Sequence, residues 1–365
     1  MKILLLGEYS NVHATLAEGL KALGHTVTVL SNGDFWKNYP RDIDLVRTPG
    51  KLGGIRYWLK AFSILPRLKG YDIVQLINPM FLELRAERIM PFYKRLRRQN
   101  GRIYLGSFGI DKPWVEEGLK PDTFRYSDFY INGKRRYNAD TQLMEDDWIH
   151  GGKGRLFDTI ADDCDGIIAS LYENYICCKA RYAEKLHFIP FPINLAKVTP
   201  KLPHPDYPGI RFFIGIQRTR SEYKGTDIML RALERLQTRY PDRMEIVKAE
   251  SVPFPTYQHM MNHSDVLLDQ LYSYTPAMNG LLAIAKGLVL VGGAEEEHYQ
   301  LMNEPTLRPI INVRPSEEDV CEQIEKRLLT QPPEELGRLS EESIQYAHRH
   351  HDHIQVARQY ISLWD

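Results

Sequence analysis

The chain has 365 residues, with 47 Lys and Arg against 47 Asp and Glu, so its formal net charge is zero and no global basic field marks a nucleic-acid binder. That length exceeds one comfortable core and predicts two domains. Cys164, Cys177, Cys178 and Cys321 lack metal-ligand spacing and read as reduced cytoplasmic thiols. No apolar run approaches the roughly 18 residues of a membrane span, and the stretch after Met1 is too short for a signal peptide, so a cytoplasmic location is expected.

Ile3 to Leu6 predicts a first strand, followed by an amphipathic helix from His13 closed by Gly24, then a strand over Thr26 to Leu30. Asp72 to Ile77 and Arg102 to Leu105 predict two more buried strands, the first ending at Asn78-Pro79. Strands alternating with helices imply a parallel, doubly wound sheet. Over 111–155 the periodicity lapses and aromatics such as Trp114, Tyr126 and Trp148 mix with charges, which predicts an irregular insert, either a surface excursion or a substrate-facing lid. A helix at Leu156 to Asp163, a strand at Gly166 to Ser170, a helix through Tyr182 and a strand at Leu186 to Ile189 complete a first domain over 1–195. Four prolines between Lys197 and Pro208 predict a linker over 196–209.

A second domain over 210–347 opens with the apolar run Phe212 to Ile216, a polar cationic loop and an amphipathic helix from Asp227. Strands are expected at Met244 to Val247, Asp265 to Leu268 and Leu288 to Val291, with helices at Tyr257 to Asn262 and Asn279 to Lys286. Arg218, Arg220 and Lys224 bring three cations to a strand's carboxyl end beside a helix N-terminus, whose free N–H groups favour anions. A phosphate-bearing ligand between two α/β lobes is therefore predicted. Residues 348–365 predict a final helix crossing back to the first domain, and the histidines from His348 to His353 lack a second ligand cluster, so no metal site is expected.

Across nearly the whole chain, these spacings resemble the GT-B glycosyltransferases, in particular the retaining nucleotide-sugar-dependent subgroup (glycosyltransferase family 4-like, "glycosyl transferases group 1"). Arg218 and Lys224-Gly225 match the family's diphosphate-binding pair, and that resemblance gives Arg218 and Lys224 a catalytic part in stabilising the leaving diphosphate. Asn11 to Leu20 resembles the first loop and helix, with Glu8-Tyr9-Ser10-Asn11 where the family has paired glycines, so donor contact would come from the Ser10 or Asn11 side chain. Gln75 and Ile77 stand where the family carries histidines, leaving Asn78 as the candidate catalytic polar group at that strand end. Tyr274 and Leu282 occupy the places of two glutamates separated by seven residues. The Ser273, Tyr274, Thr275 and Asn279 loop would then meet the donor sugar, and Glu250 its base. His13 and Asp111 are acceptor-side candidates, and Asp269 and Glu295 to Glu297 are further carboxylates at strand ends.

The resemblance implies two Rossmann-like parallel-sheet domains facing across a cleft, and sugar transfer from a nucleotide-diphosphate donor to a glycan or lipid-linked acceptor. It implies retention and no required metal or cofactor. The missing glutamates and histidine also suit a glycosyltransferase-like binding or regulatory protein, and a sugar-nucleotide epimerase is a third reading. Arg56 to Lys69 and Pro91 to Arg98 combine cations with apolar residues, a pattern that suits either helices packed on the sheet or contact with the inner face of a membrane.

Overall fold

The computed structural model describes residues 1–203 and 209–365. The predicted linker falls partly on 204–208, outside the described residues. In the first half of the chain the elements run β1 (Lys2–Leu6), α1 (Val12–Ala22), β2 (Thr26–Ser31), β3 (Ile43–Asp44), α2 (Gly53–Ile64), β4 (Ile73–Leu76), α3 (Ala86–Gln99), β5 (Arg102–Ser107), α4 (Lys112–Gly118), β6 (Tyr130–Ile131), β7 (Lys134–Arg135), α5 (Ala139–Glu145), α6 (Gly152–Asp163), β8 (Gly166–Ala169), α7 (Tyr172–Tyr182) and β9 (Leu186–Phe188). In the second half they run β10 (Ile210–Ile216), α8 (Ser221–Lys224), α9 (Thr226–Arg239), β11 (Met244–Glu250), α10 (Phe254–Asn262), β12 (Val266–Leu268), α11 (Met278–Ala285), β13 (Val289–Gly292), α12 (Glu296–Leu301), β14 (Ile311–Asn312), α13 (Glu317–Ile324), α14 (Pro333–His350) and α15 (His353–Trp364).

The chain divides into two compact units. Unit 1 holds 1–120, 139–194 and 353–365, around a seven-stranded parallel sheet of order β3-β2-β1-β4-β5-β8-β9. Its central strands are buried on both faces, which is why they read as continuous apolar runs rather than alternating ones. Helix α15 packs against α1, where a Cβ on Gly19 would lie 2.4 Å from the His353 carbonyl oxygen, so only glycine admits this approach. Trp364 closes the contact, fully buried, with its ring centroid 5.2 Å from Tyr360 and 6.1 Å from Tyr104.

Unit 2 holds 195–352 together with 121–138, around a five-stranded parallel sheet of order β11-β10-β12-β13-β14. Phe212, Ile214, Leu233, Leu268 and Val291 lie in its core, and Ile131 from the β6–β7 hairpin packs on that core. The segment expected to be an irregular insert is thus largely regular. It holds α4, the antiparallel β6–β7 hairpin, α5, a π-helical turn at 146–150 and the start of α6. Three of its aromatics serve packing, with Phe129, Tyr126 and Trp148 buried, while Tyr137 is exposed. Short elements with tertiary partners leave too few residues for a visible period, and the same holds for the two-residue edge strands β3 and β14.

Candidate functional site

In unit 2, the stretch expected to be an open cationic loop after β10 is a 3₁₀ turn at Arg218–Arg220 followed by the short helix α8. Gly225 then takes φ 74°, and a Cβ there would meet Leu271 at 2.9 Å and the Tyr272 ring at 3.1 Å, so glycine serves both the left-handed turn and the close packing. The Leu271 N–H donates to the Lys224 carbonyl at 3.0 Å, tying this turn to the segment after β12. Arg218 is largely exposed, and its Nε donates to Glu250 Oε1 at 2.5 Å, with Lys248 Nζ 3.5 Å from the other carboxylate oxygen. These cations hold the Glu250 carboxyl below its ordinary range, and the Glu250 carboxylate raises the Arg218 guanidinium in turn. Arg220 stacks on Tyr223, 4.8 Å from its centroid.

Asp269, at the end of β12, accepts from the Asn279 side chain at 3.3 Å. Burial raises its carboxyl, while the Lys224 charge and hydrogen bonds from Asn279 and the Gly280 N–H pull the other way. The first turn of α11 therefore already has a carboxyl partner inside the protein. Tyr257 OH donates to Asn279 Oδ1 at 3.2 Å, and its ring lies where a Cβ on Gly215 would stand.

The segment expected to face a donor sugar is covered by residues 124–136. Ser273, Tyr274 and Thr275 are all buried. The Tyr274 hydroxyl accepts from the Arg125 N–H at 2.7 Å, and its ring meets Phe124, Tyr126 and the Arg125 guanidinium at centroid distances of 5.5, 5.0 and 4.9 Å. The Arg136 guanidinium lies 3.5 Å from the Tyr272 ring centroid and donates to the Glu222 carbonyl at 2.9 Å. Tyr126 OH donates to Glu295 at 2.8 Å, Arg125 pairs with Glu295 and Glu297, and Arg308 pairs with Glu296. The acidic run 295–297 is thereby engaged within unit 2.

In unit 1, the backbone after β1 turns through Gly7, Ser10 and Asn11, all at positive φ. The Ser10 N–H donates to Asp34 at 2.9 Å, and Asn11 is the left-handed residue before α1. Glu8 was noted in the sequence only as a departure from glycine, yet its carboxyl accepts from the His13 N–H at 3.3 Å and the Ala14 N–H at 2.8 Å. Burial pushes it up to about 8. His13 is fully buried, its Nδ1 2.9 Å from the Gly7 carbonyl, an arrangement that makes Nδ1 the protonated nitrogen. Burial pulls its ring down to about 3 and keeps it neutral. Asn78 accepts from the Met80 N–H at 3.0 Å and donates to the Ile110 carbonyl at 3.3 Å. Asp111 caps α4 by accepting from the Trp114 N–H at 3.0 Å, and burial raises its carboxyl to about 6 against bonds from Ser107, Trp114 and Asn174.

No protein-family model and no curated protein sequence matches the chain. Solved structures do. Sucrose-phosphate synthase from Thermosynechococcus elongatus matches all of this chain and 98% of its own at 14% identity, with a TM-score of 0.61. Anabaena HepE, in complex with UDP and glucose, matches 99% of this chain and 98% of its own at 13% identity, TM-score 0.59. The catalytic domain of Arabidopsis thaliana starch synthase IV, bound to ADP and acarbose, matches 100% and 98% at 11% identity, TM-score 0.57. The fold is GT-B.

Within this GT-B chain the described residues fall into two sets. Arg218 and Glu250 form an exposed pair at the ends of β10 and β11, with Lys224 close behind on α8. Most other candidates are buried in turns, caps or packing: Ser273, Tyr274, Thr275, Asn78, His13 and Asp111. Asn279 joins Asp269 and Tyr257 in a hydrogen-bonded group. Among the described residues no group of three or more His, Cys, Asp or Glu is arranged to hold a metal ion. At the end of α14, Arg349 and His350 both meet Glu304, at 2.8 and 2.7 Å. Glu8 and the Arg125–Arg136 cover escaped the sequence reading. A carboxylate five residues before a helix start was the available signal for the first, whereas the second depends on contacts about 150 residues apart in sequence, as in Arg125 with Tyr274.

Proposed function

We propose that the protein transfers a sugar from a nucleotide-diphosphate donor to a glycan or lipid-linked acceptor in the cytoplasm, with retention of configuration. The observation that carries this reading is the exposed Arg218 guanidinium just beyond β10, followed by Lys224 at the end of the short helix α8 and by Gly225. UDP and ADP in the HepE and starch synthase IV structures agree with such a donor. Charge builds on the leaving diphosphate as the glycosidic bond breaks, and two fixed cations at a strand end stabilise it without a metal. Glu250 holds the place of that diphosphate until the donor exchanges with it. The parts left for His13, Asn78 and Asp111 are positional, since each is engaged in a turn or helix cap.

The joint substitution Arg218→Ala/Lys224→Ala is expected to abolish UDP and ADP binding in calorimetry, and unchanged affinity would end the assignment. Glu250→Gln separates two roles. As a counterion to Arg218 its loss tightens nucleotide binding about two- to fivefold, the worth of an exposed ion pair, whereas weaker binding would make Glu250 a donor contact.

The second reading is a protein that binds a nucleotide sugar without turning it over. It is favoured by the internal carboxylates at α1 and α11 and by the burial of Ser273 to Thr275. Release of nucleoside diphosphate with sugar transfer supports the first reading, binding alone supports the second, and an isomerised donor indicates epimerase chemistry.

A further inference from the structure

Of the large apolar side chains more than a third exposed in the described residues, six of nine lie within 35–59: Phe35, Trp36, Val46, Leu52, Ile55 and Leu59. On α2 the arrangement is inverted from that of an ordinary surface helix. Gly53, Tyr57 and Ala61 face inward at four-residue spacing, while Leu52, Ile55 and Leu59 are exposed beside Arg56 and Lys60. The other cationic-apolar segment behaves differently, because Phe92, Tyr93 and Leu96 bury the apolar face of α3.

Backbone strain marks the same region. Asp34 and Phe35 both sit at φ 58°, and a left-handed Phe is sterically costly. Asp34 holds the turn by accepting from the Ser10 N–H at 2.9 Å and Lys37 Nζ at 2.6 Å, and the turn presents Phe35 and Trp36 at 65% and 68% exposure. Phe35 and Tyr57 both line a cavity of about 220 Å³ with Leu30, Phe81 and the carboxyl residues Glu8 and Glu83, which places this turn and α2 at one site. The volume exceeds the roughly 150 Å³ of an apolar cavity that takes benzene.

Charge selects the occupant. Residues 35–69 contain eight Lys and Arg against Asp42 and Asp44 alone, in a chain of zero net charge. Both aspartates are already paired, Asp42 with Lys21 and Asp44 with Arg41 and Lys60. Exposed aromatic and aliphatic groups interleaved with cations match the interfacial zone of an anionic bilayer. A self-complementary contact with a second copy would bring like charges together.

We infer that the outer face of α2 and the Phe35-Trp36 turn dock the protein on an anionic lipid surface, with the neighbouring cavity taking an apolar lipid segment. This inference stands apart from the Arg218–Lys224 reading, which lies in unit 2, although the Phe35-Trp36 turn is held through the Ser10 N–H of the loop after β1. The test is co-sedimentation with vesicles of phosphatidylcholine alone and of phosphatidylcholine with phosphatidylglycerol, with tryptophan fluorescence read in parallel. Binding to the anionic vesicles with a blue-shifted emission is expected. Trp36→Ser with Leu59→Ser should weaken binding by about tenfold or more, and Lys51→Gln and Arg56→Gln by about fivefold each. Near-UV circular dichroism and UDP affinity should stay as in the parent chain. Absence of vesicle binding, or binding unchanged in both variant sets, overturns the inference. So does a concentration-dependent dimer that the Trp36→Ser/Leu59→Ser variant abolishes while vesicles are ignored.

Discussion

Glu8 shows how one side chain can redirect a helix terminus. The first N–H groups of α1 are electropositive and favour an anion, yet here they meet a carboxyl of the chain itself that burial holds protonated below about pH 8. Burial raises its folded value to about 8 from the ordinary 4.5, so its contribution to stability is full below about 4.5 and is lost as the pH climbs through 8. Glu8→Gln keeps an oxygen for the Ala14 N–H and removes the ionisation. The variant is expected to match the parent chain near pH 4.5 and to exceed it by on the order of a few kcal/mol above pH 8, read from urea unfolding across that range. A difference that did not grow with pH would show that Glu8 ionises freely. His13 acts in the opposite sense: its value falls from 6.5 to about 3, so its contribution is present above 6.5 and lost on acidification toward 3.

At the scale of elements, Tyr274 carries the contrast between what the sequence displayed and what it concealed. The runs Ile3 to Leu6 and Phe212 to Ile216 were legible because a strand buried on both faces must be continuously apolar. The turn from Arg218 to Gly225 was legible in position because helix starts and strand ends follow local rules, although α8 within it was not. The role of Tyr274 was illegible, because nothing near it in sequence announces that Arg125 and Tyr126 lie over its ring. Tyr274→Phe removes the acceptor for the Arg125 N–H and keeps the ring. A loss of about 1 kcal/mol in stability with unchanged UDP affinity is expected if the tyrosine is structural, while a matching fall in affinity would return it to the donor site.

At the scale of the whole molecule, each sheet was inferred from its central strands, and the short edges β3 and β14 came only with the structure. Residues 121–138 fall inside the 111–155 stretch expected as an irregular insert, and their allegiance to unit 2 depends on side chains such as Ile131 that meet its core. Trp364 makes the corresponding point for unit 1. Trp364→Ala is expected to cost about 3–5 kcal/mol, with hydrogen exchange accelerated in α1 and β1 and unchanged in β10 and β12. Equal acceleration in both sheets would show that the units unfold together. The chain passes from one unit to the other near residues 120, 138, 194 and 352, so neither unit is a continuous stretch of sequence. In chain order the sheet of unit 1 is complete before unit 2 begins, but α1 must wait for α15, which follows the whole of 195–352, before its outer face is sealed. A gene cut at the linker would yield two fragments, each missing a piece that the other carries.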